Sequence, residues 1–374
     1  MVQGRRLALD TFNSELSSDH YLVTHEVGPN QHGIRLDHFL MDRYRKRSRE
    51  FIKKAIDKGA ITLKRNQGSH LTPGKLRSSS QLIPGDQVLV MSERKTEPDV
   101  CFDYKLIFED ETLFVIEKPA NLPVHPAGRY FFNTLLVHLK TSGHKDPLRP
   151  EREYYLAHRI DKETSGILVL TRDRDVCAHI SKQFFDRKTE KKYLAIVHGI
   201  TPEKFTVNEP LKRATGISEI TLKMKVCRPD EDEAMPSHTD FERLEVVGGF
   251  SVVECRPKTG RQHQIRVHLD HVGHPIVGDK LYGIPESESI RFFERQNLSA
   301  EAVAKLLIPR HALHSAGLKF DHPITGERMN FTSELPPDLR AFLNEQQSRI
   351  NALSLPGESH VGGPFPAKET IATC

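Results

Sequence analysis

The chain has 374 residues with 54 Lys+Arg against 50 Asp+Glu, a formal charge of only +4, so any surface for a polyanion must come from local clustering. Hydrophobic residues make up 37% and charged residues 28%, enough for a packed core and too apolar for a disordered chain. The strongest apolar runs, Leu113 to Ile116 and Ile167 to Leu170, are strand-sized and far short of the roughly 18 residues that span a bilayer, and the five scattered cysteines form no C-x-x-C pair.

Residues 1–32 are polar and without a sustained period, and read as an N-terminal extension. From Gly33 the pattern changes. Leu36, Phe39, Leu40 and Tyr44 recur at helical spacing, and Ser48 is placed to cap a second helix carrying Phe51, Ile52, Ala55 and Ile56, which Gly59 ends. Ile61 to Leu63 and Gln87 to Val90 read as short strands, the second entered through the turn Leu82-Ile83-Pro84-Gly85-Asp86. Residues 33–91 therefore form a small helix-helix-sheet unit, and the polar stretch 92–104 reads as its linker.

Strands dominate from Lys105 to residue 345: Thr112 to Lys118, Gly166 to Thr171, Lys192 to His198, Ile217 to Val226, Thr239 to Val247, Phe250 to Arg256 and His314 to Phe320. Helical patterns interrupt them at Val176, Ile180, Phe184 and at Ile265, Leu269, Val272. The expected class is α+β, with a mixed, mainly antiparallel sheet beside the small N-terminal unit. Thr141 to Glu153 and Pro229 to Ser237 look like loop insertions, and residues 346–374 read as a flexible tail.

Two segments carry chemical signals. The run from Arg43 to Lys54 places seven cations in twelve positions, among them Arg43, Arg45, Arg47, Arg49 and Lys53. Alone such a run is usually a solvated helix face, but on a compact helix-helix-sheet unit it becomes a candidate RNA surface. RLDHFL, RSREFIKKAIDKGAIT and PGDQV resemble the alpha-L (S-four-like) RNA-binding motif. The second signal is HRIDKETSGILVL from His158, which puts Asp161 in a polar loop ahead of a buried strand. By itself that is an ordinary turn aspartate.

In context HRIDKETSG resembles the catalytic loop of the RluA-type RNA pseudouridine synthases, and other family segments follow in order. Lys118-Pro119 with Pro123-Val124-His125-Pro126, Lys191-Lys192-Tyr193-Leu194-Ala195, Thr259-Gly260-Arg261-Gln262-His263-Gln264-Ile265-Arg266-Val267-His268 and Gly273-His274-Pro275-Ile276-Val277-Gly278-Asp279 each match a family stretch. His314 to Phe320 with His322-Pro323 matches the closing strand. The departures are Ile160 for the usual Leu, Asn121 where Gly is common and Thr171-Arg172 where Ala often sits; none removes a reacting group.

The resemblance implies an isomerase with no cofactor and no metal, acting on structured RNA, ribosomal or transfer, with the RNA-binding unit favouring ribosomal. It implies that Asp161 is the reacting carboxylate, that Arg266 pairs with it, and that Tyr193 stacks on the uracil and takes part in proton removal. Ile265 walls the base pocket opposite Tyr193, and Arg159 fills the space left by an extruded nucleotide. A cytoplasmic place of action is expected, without membrane or DNA partners. The histidines 263, 268, 271, 274, 311 and 314 raise a zinc hydrolase as a competitor, but there is no H-E-x-x-H, and 263 and 268 would stand about 140° apart on a helix. The remaining alternative is a non-catalytic RNA-binding protein on the same fold; the presence of Asp161, Tyr193 and Arg266 favours the enzyme.

Overall fold

The computed structural model describes residues 20–44, 48–65, 75–93, 96–141, 153–215, 218, 220 and 222–353. They form two units, divided between Thr96 and Glu97.

In the first unit, β1 (His20–Glu26), α1 (Leu36–Arg43), α2 (Arg49–Asp57), β2 (Ile61–Lys64) and β3 (Gln87–Glu93) make an antiparallel sheet of order β1-β3-β2 with two helices. Ser48 caps α2 as expected, its hydroxyl accepting from the Phe51 amide. Leu36, Phe39, Leu40, Ile52 and Ile56 are buried against Ile61, Leu82, Val88 and Val90. The reading of residues 1–32 as an extension is corrected: β1 pairs with β3 along its whole length, from His20↔Glu93 to Glu26↔Gln87. One of its two buried positions is the polar His25, which bonds to the Tyr44 hydroxyl at 2.8 Å, so the strand shows no apolar alternation.

The second unit continues with β4 (Lys105–Glu109), β5 (Leu113–Lys118), α3 (Leu135–Thr141), β6 (Tyr155–Leu156), β7 (Ser165–Thr171), α4 (Arg174–Phe185), β8 (Glu190–His198), β9 (Lys204–Val207), β10 (Leu211–Arg213), β11 (Met224–Val226), β12 (Thr239–Val247) and β13 (Phe250–Pro257). It ends with α5 (Gln264–His271), α6 (Glu286–Phe293), α7 (Ala300–Leu306), β14 (Leu313–Asp321), β15 (Arg328–Thr332) and α8 (Pro337–Leu353). Its main sheet runs β4-β5-β7-β14-β8-β13-β12-β9, with β15 added on β14 and β6 on β7. All pairings are antiparallel except β7 with β14, so the mixed, mainly antiparallel α+β class holds.

That parallel contact explains the glycine of HRIDKETSG. Gly166 has φ +105°, and a Cβ there would lie 2.3 Å from the Ser315 carbonyl oxygen, so only glycine lets β14 close on β7. The Asp161 loop is thereby fixed to the sheet immediately behind it.

Three further boundaries differ from the sequence reading. The supposed linker after residue 96 belongs to the second unit: the Glu97 carboxylate accepts from the amides of Phe131, Phe132 and Asn133, and Val100, Phe102 and Tyr104 pack on the core of β5 and β7. Only Met224–Val226 of the expected strand 217–226 pairs, with Leu211–Arg213; Leu222 is exposed in a turn, and 217, 219 and 221 lie outside the described residues. The helix α8 runs through the expected start of the tail, because Leu339, Phe342 and Leu343 anchor it to the core while its other faces are polar. The short helices α3, α6 and α7 were not anticipated, being too brief for a sustained period.

Candidate active site

Asp161 stands between β6 and β7 with its carboxylate about a quarter exposed, at the edge of a cleft of about 110 Å³. Arg159, Tyr193, Ile265 and Arg266 line the same cleft, so five residues separated by up to 107 positions of sequence meet there. The volume is well under the roughly 300 Å³ at which ordinary ligand pockets begin, and suits a single flat ring.

Arg266 is only 7% exposed. Its Nη1 donates to Asp161 Oδ2 at 2.8 Å, while Nε and Nη2 form a fork on the buried Asp279 at 2.6 and 2.8 Å. One guanidinium therefore bridges two carboxylates. Asp279 Oδ1 also accepts from the amides of Leu281 and Tyr282, which fixes the far carboxylate to backbone. Burial raises the Asp161 pKa, but His263, Arg266 and His311 outweigh it and hold the carboxyl well below the usual range. Burial drives the pKa of His263 down to about 4 and that of His311 to about 3, so their pull on the carboxyl is felt only in acid. At neutral pH they are neutral and Arg266 is the cation paired with an ionised Asp161.

The loop is held from three sides. Lys118, fully buried, donates from Nζ to the carbonyls of Pro119, Leu122 and Lys162 at 2.7, 3.1 and 3.1 Å, tying the residue after Asp161 to the loop that follows β5. Glu163 pairs with Lys280 at 2.8 Å and accepts from the His311 amide, and the Thr164 hydroxyl bonds to His311 Nε2 at 2.7 Å. Asn121, the departure from Gly noted above, has φ +59°; asparagine is among the residues that tolerate this left-handed conformation.

Tyr193 sits at the seam where two core clusters meet, and burial pushes its phenol up to about 12, so it is protonated at neutral pH. Ile265 is buried on the first turn of α5 and packs into the core while lining the cleft. Arg159 is exposed, with Nη1 3.2 Å from His125 Nε2. His158 is structural: its ring stacks on Phe184 and its Nε2 accepts from the Val169 amide.

The clustered histidines are engaged separately. His263 is not helical but caps α5 at φ +56°, with Nδ1 3.0 Å from the Tyr282 hydroxyl. That hydroxyl also accepts from the Met224 amide. His268 bonds to Thr239 and to the Glu209 carbonyl, and His314 to Ser165 and Ser333.

In the first unit Arg49 and Lys53 are exposed, Arg49 touching His38. Arg43 is instead half-buried: its guanidinium lies 3.6 Å from the Phe39 ring centroid and donates to the Phe39 carbonyl. Arg45 and Arg47 lie outside the described residues.

A family model described as RNA pseudouridylate synthase matches residues 112–271. The ribosomal large subunit pseudouridine synthase D of Zymomonas mobilis is 32% identical over 315 residues, which cover 82% of this chain and 92% of that one. The chain belongs to the RNA pseudouridylate synthase family. The ribosomal large subunit pseudouridine synthase C of Buchnera aphidicola is 31% identical over 83% of this chain and 93% of its own. The mitochondrial tRNA pseudouridine(32) synthase of Saccharomyces cerevisiae is 34% identical over 66% of this chain and 50% of its own. The protein is an isomerase that converts uridine to pseudouridine in RNA.

Asp279, Glu163 and Lys280 had no role in the sequence reading, and His311 entered it only among the histidines of the zinc alternative. The signal that was available for Asp279 is that an arginine buried beside one carboxylate commonly needs further acceptors, and Gly278-Asp279 is the acidic position in the stretch that follows α5. Nothing local marks Glu163, because its hydrogen-bond partners lie more than a hundred residues away.

Proposed function

We propose that the enzyme acts on ribosomal RNA, with Asp161 as the reacting carboxylate. The observation that carries the proposal is an ionised Asp161 pinned by Arg266 at the edge of a cleft with room for one ring, which Tyr193 and Ile265 also line. The reaction breaks the bond from ribose C1′ to N1 of uracil, turns the base, joins C1′ to C5, returns a proton to N1 and releases the C5 proton, with no redox change. Whether the carboxylate attacks carbon or accepts a ribose proton, it must be unprotonated and held at fixed distance, which Arg266 provides. Tyr193 supplies a stacking face and, with its phenol neutral, a relay for the C5 proton rather than a free phenolate. Arg159 at the surface takes the place of the extruded nucleotide.

Residues 33–91 act as the RNA clamp through Arg45, Arg47, Arg49 and Lys53; Arg43, packed on Phe39, has a structural part. Ribosomal RNA is favoured because the Zymomonas mobilis and Buchnera aphidicola relatives, matched along more than nine-tenths of their length, are named for the large ribosomal subunit, whereas half of the tRNA enzyme is matched. Carbodiimide marking of pseudouridine followed by primer extension, on ribosomal and transfer RNA incubated with the enzyme, tests this. New stops confined to ribosomal RNA support the assignment, and stops confined to transfer RNA overturn it.

A further inference from the structure

The strands β8 and β13 pair from Phe250↔His198 to Cys255↔Tyr193 and no further, although β8 begins at Glu190 and β13 runs to Pro257. Beyond Tyr193, β8 stays with β14, through Gly317↔Lys192 and Lys319↔Glu190, while β13 stays with β12 through Asp240↔Arg256 and Thr239↔Pro257. The sheet splits, and a trough of about 750 Å³ is lined by both arms. Lys191 and Pro257 line this trough and the Asp161 cleft alike, so the two adjoin.

Its lining is lopsided in charge: Arg187, Lys191, Lys192, Arg256, Lys258 and Lys319 stand against Glu190 and Glu254. Both carboxylates are already neutralised, Glu190 by Lys319 and Arg328 at 3.0 Å each and Glu254 by Arg256. Lys258 pairs with Asp240 at 3.2 Å, whereas Arg187 and Lys192 have no carboxylate partner among the described residues. Lys192 is half-buried, its stem lying over Gly317, where an added Cβ would be 3.1 Å from both its Cβ and its Cε. An ammonium partly withdrawn from water without a counter-charge is unfavourable until an anion arrives. Arg187 stands near Lys191: after burial, its charge is the second reason that this lysine's pKa falls to about 8.

We propose that this trough holds the phosphodiester backbone of the RNA strand flanking the target uridine, with Arg187 and Lys192 as the phosphate contacts. The proposal rests on the cleft being the uridine site. A polyanion fits the surplus charge, a mobile strand fits an open trough, and backbone contacts of this kind set register without reading sequence.

The test is R187N/K192Q in the full chain. Asparagine suits the left-handed φ of +59° at Arg187, and neither change strands a carboxylate. With unmodified large-subunit ribosomal RNA as probe, affinity at 150 mM salt should fall about tenfold, and the slope of log affinity against log salt should lessen by about 1 per residue removed. KM should rise in step while kcat at saturating RNA stays within about twofold of wild type. R187K/K192R, which keeps the charges, should restore the slope. Unchanged affinity and slope in R187N/K192Q, or an equal loss in R187K/K192R, would overturn the proposal. Lack of turnover by the wild type would count against the uridine-site reading instead, and the salt slopes would still decide the trough.

Discussion

Replacing Asp279 by Asn isolates what the double bridge does. The substitution is nearly isosteric but removes one of the two negative charges on Arg266, which is 7% exposed. The amide cannot satisfy all former partners: its NH2 faces either the guanidinium or the amides of Leu281 and Tyr282, all of which are donors. Breaking one partnership of a buried ion pair costs about 3–5 kcal/mol, which in a domain of this size lowers Tm by about 10 °C. The guanidinium then serves Asp161 alone, making that carboxylate less basic and less well aimed, so kcat should fall about tenfold to a hundredfold with KM little changed. Urea unfolding and single-turnover release of the C5 proton measure the two effects. Stability within about 0.5 kcal/mol of wild type together with full kcat would refute the argument that Asp279 positions Arg266.

Lys118→Met should leave three buried carbonyls short of a donor, lowering stability by about 3 kcal/mol and speeding amide exchange in residues 161–164; unchanged exchange would mean the ammonium does not hold the loop. Tyr193→Phe keeps the ring and loses the hydroxyl, so kcat should drop at least tenfold with KM nearly constant, whereas Tyr193→Ala should raise KM as well; a fully active Phe variant would remove the proton relay. The pH profile of kcat/KM should be flat from about 5 to 6: Asp161 is ionised and His263, with a pKa of about 4, is neutral above pH 5, the Tyr193 phenol stays protonated to about 12, and the buried Lys118 ammonium that ties the loop, its pKa lowered by burial to about 7, is still charged. A limb inside that window would assign the reaction to another group. The depressed pKa of Asp279, about 2, signs the stability: its contribution is full above about pH 4 and is lost as pH falls through 2.

The catalytic unit was legible where local chemistry repeats a pattern. The strands at 239–247 and 250–257 alternate or run apolar between turn signals, and six family segments in order carry the resemblance to the pseudouridine synthases; in the first unit, Ser48 marks its helix start. Burial of Arg266 was not legible, because a helix with Gln264, Arg266, His268 and Asp270 looks amphipathic in the wrong sense until Asp161 and Asp279 are seen to neutralise it. The first strand was missed because an inward His25 is satisfied by Tyr44, nineteen residues on, so the polar residue that hides the alternation is paid for by a tertiary bond. The splitting of β8 from β13 leaves no trace in either strand's composition, since it is set by which neighbour each keeps.

The most direct test of the central claim is tritium release from C5-labelled uridine in unmodified total RNA by wild type and Asp161→Asn, each with and without a chelator. Release by wild type, unaffected by chelator and lowered at least about a thousandfold in Asp161→Asn with RNA affinity largely kept, is the predicted result; that factor corresponds to about 4 kcal/mol of barrier. Comparable release by the variant, or a loss of RNA binding that matches the loss of turnover, would contradict the assignment of Asp161 as the reacting carboxylate.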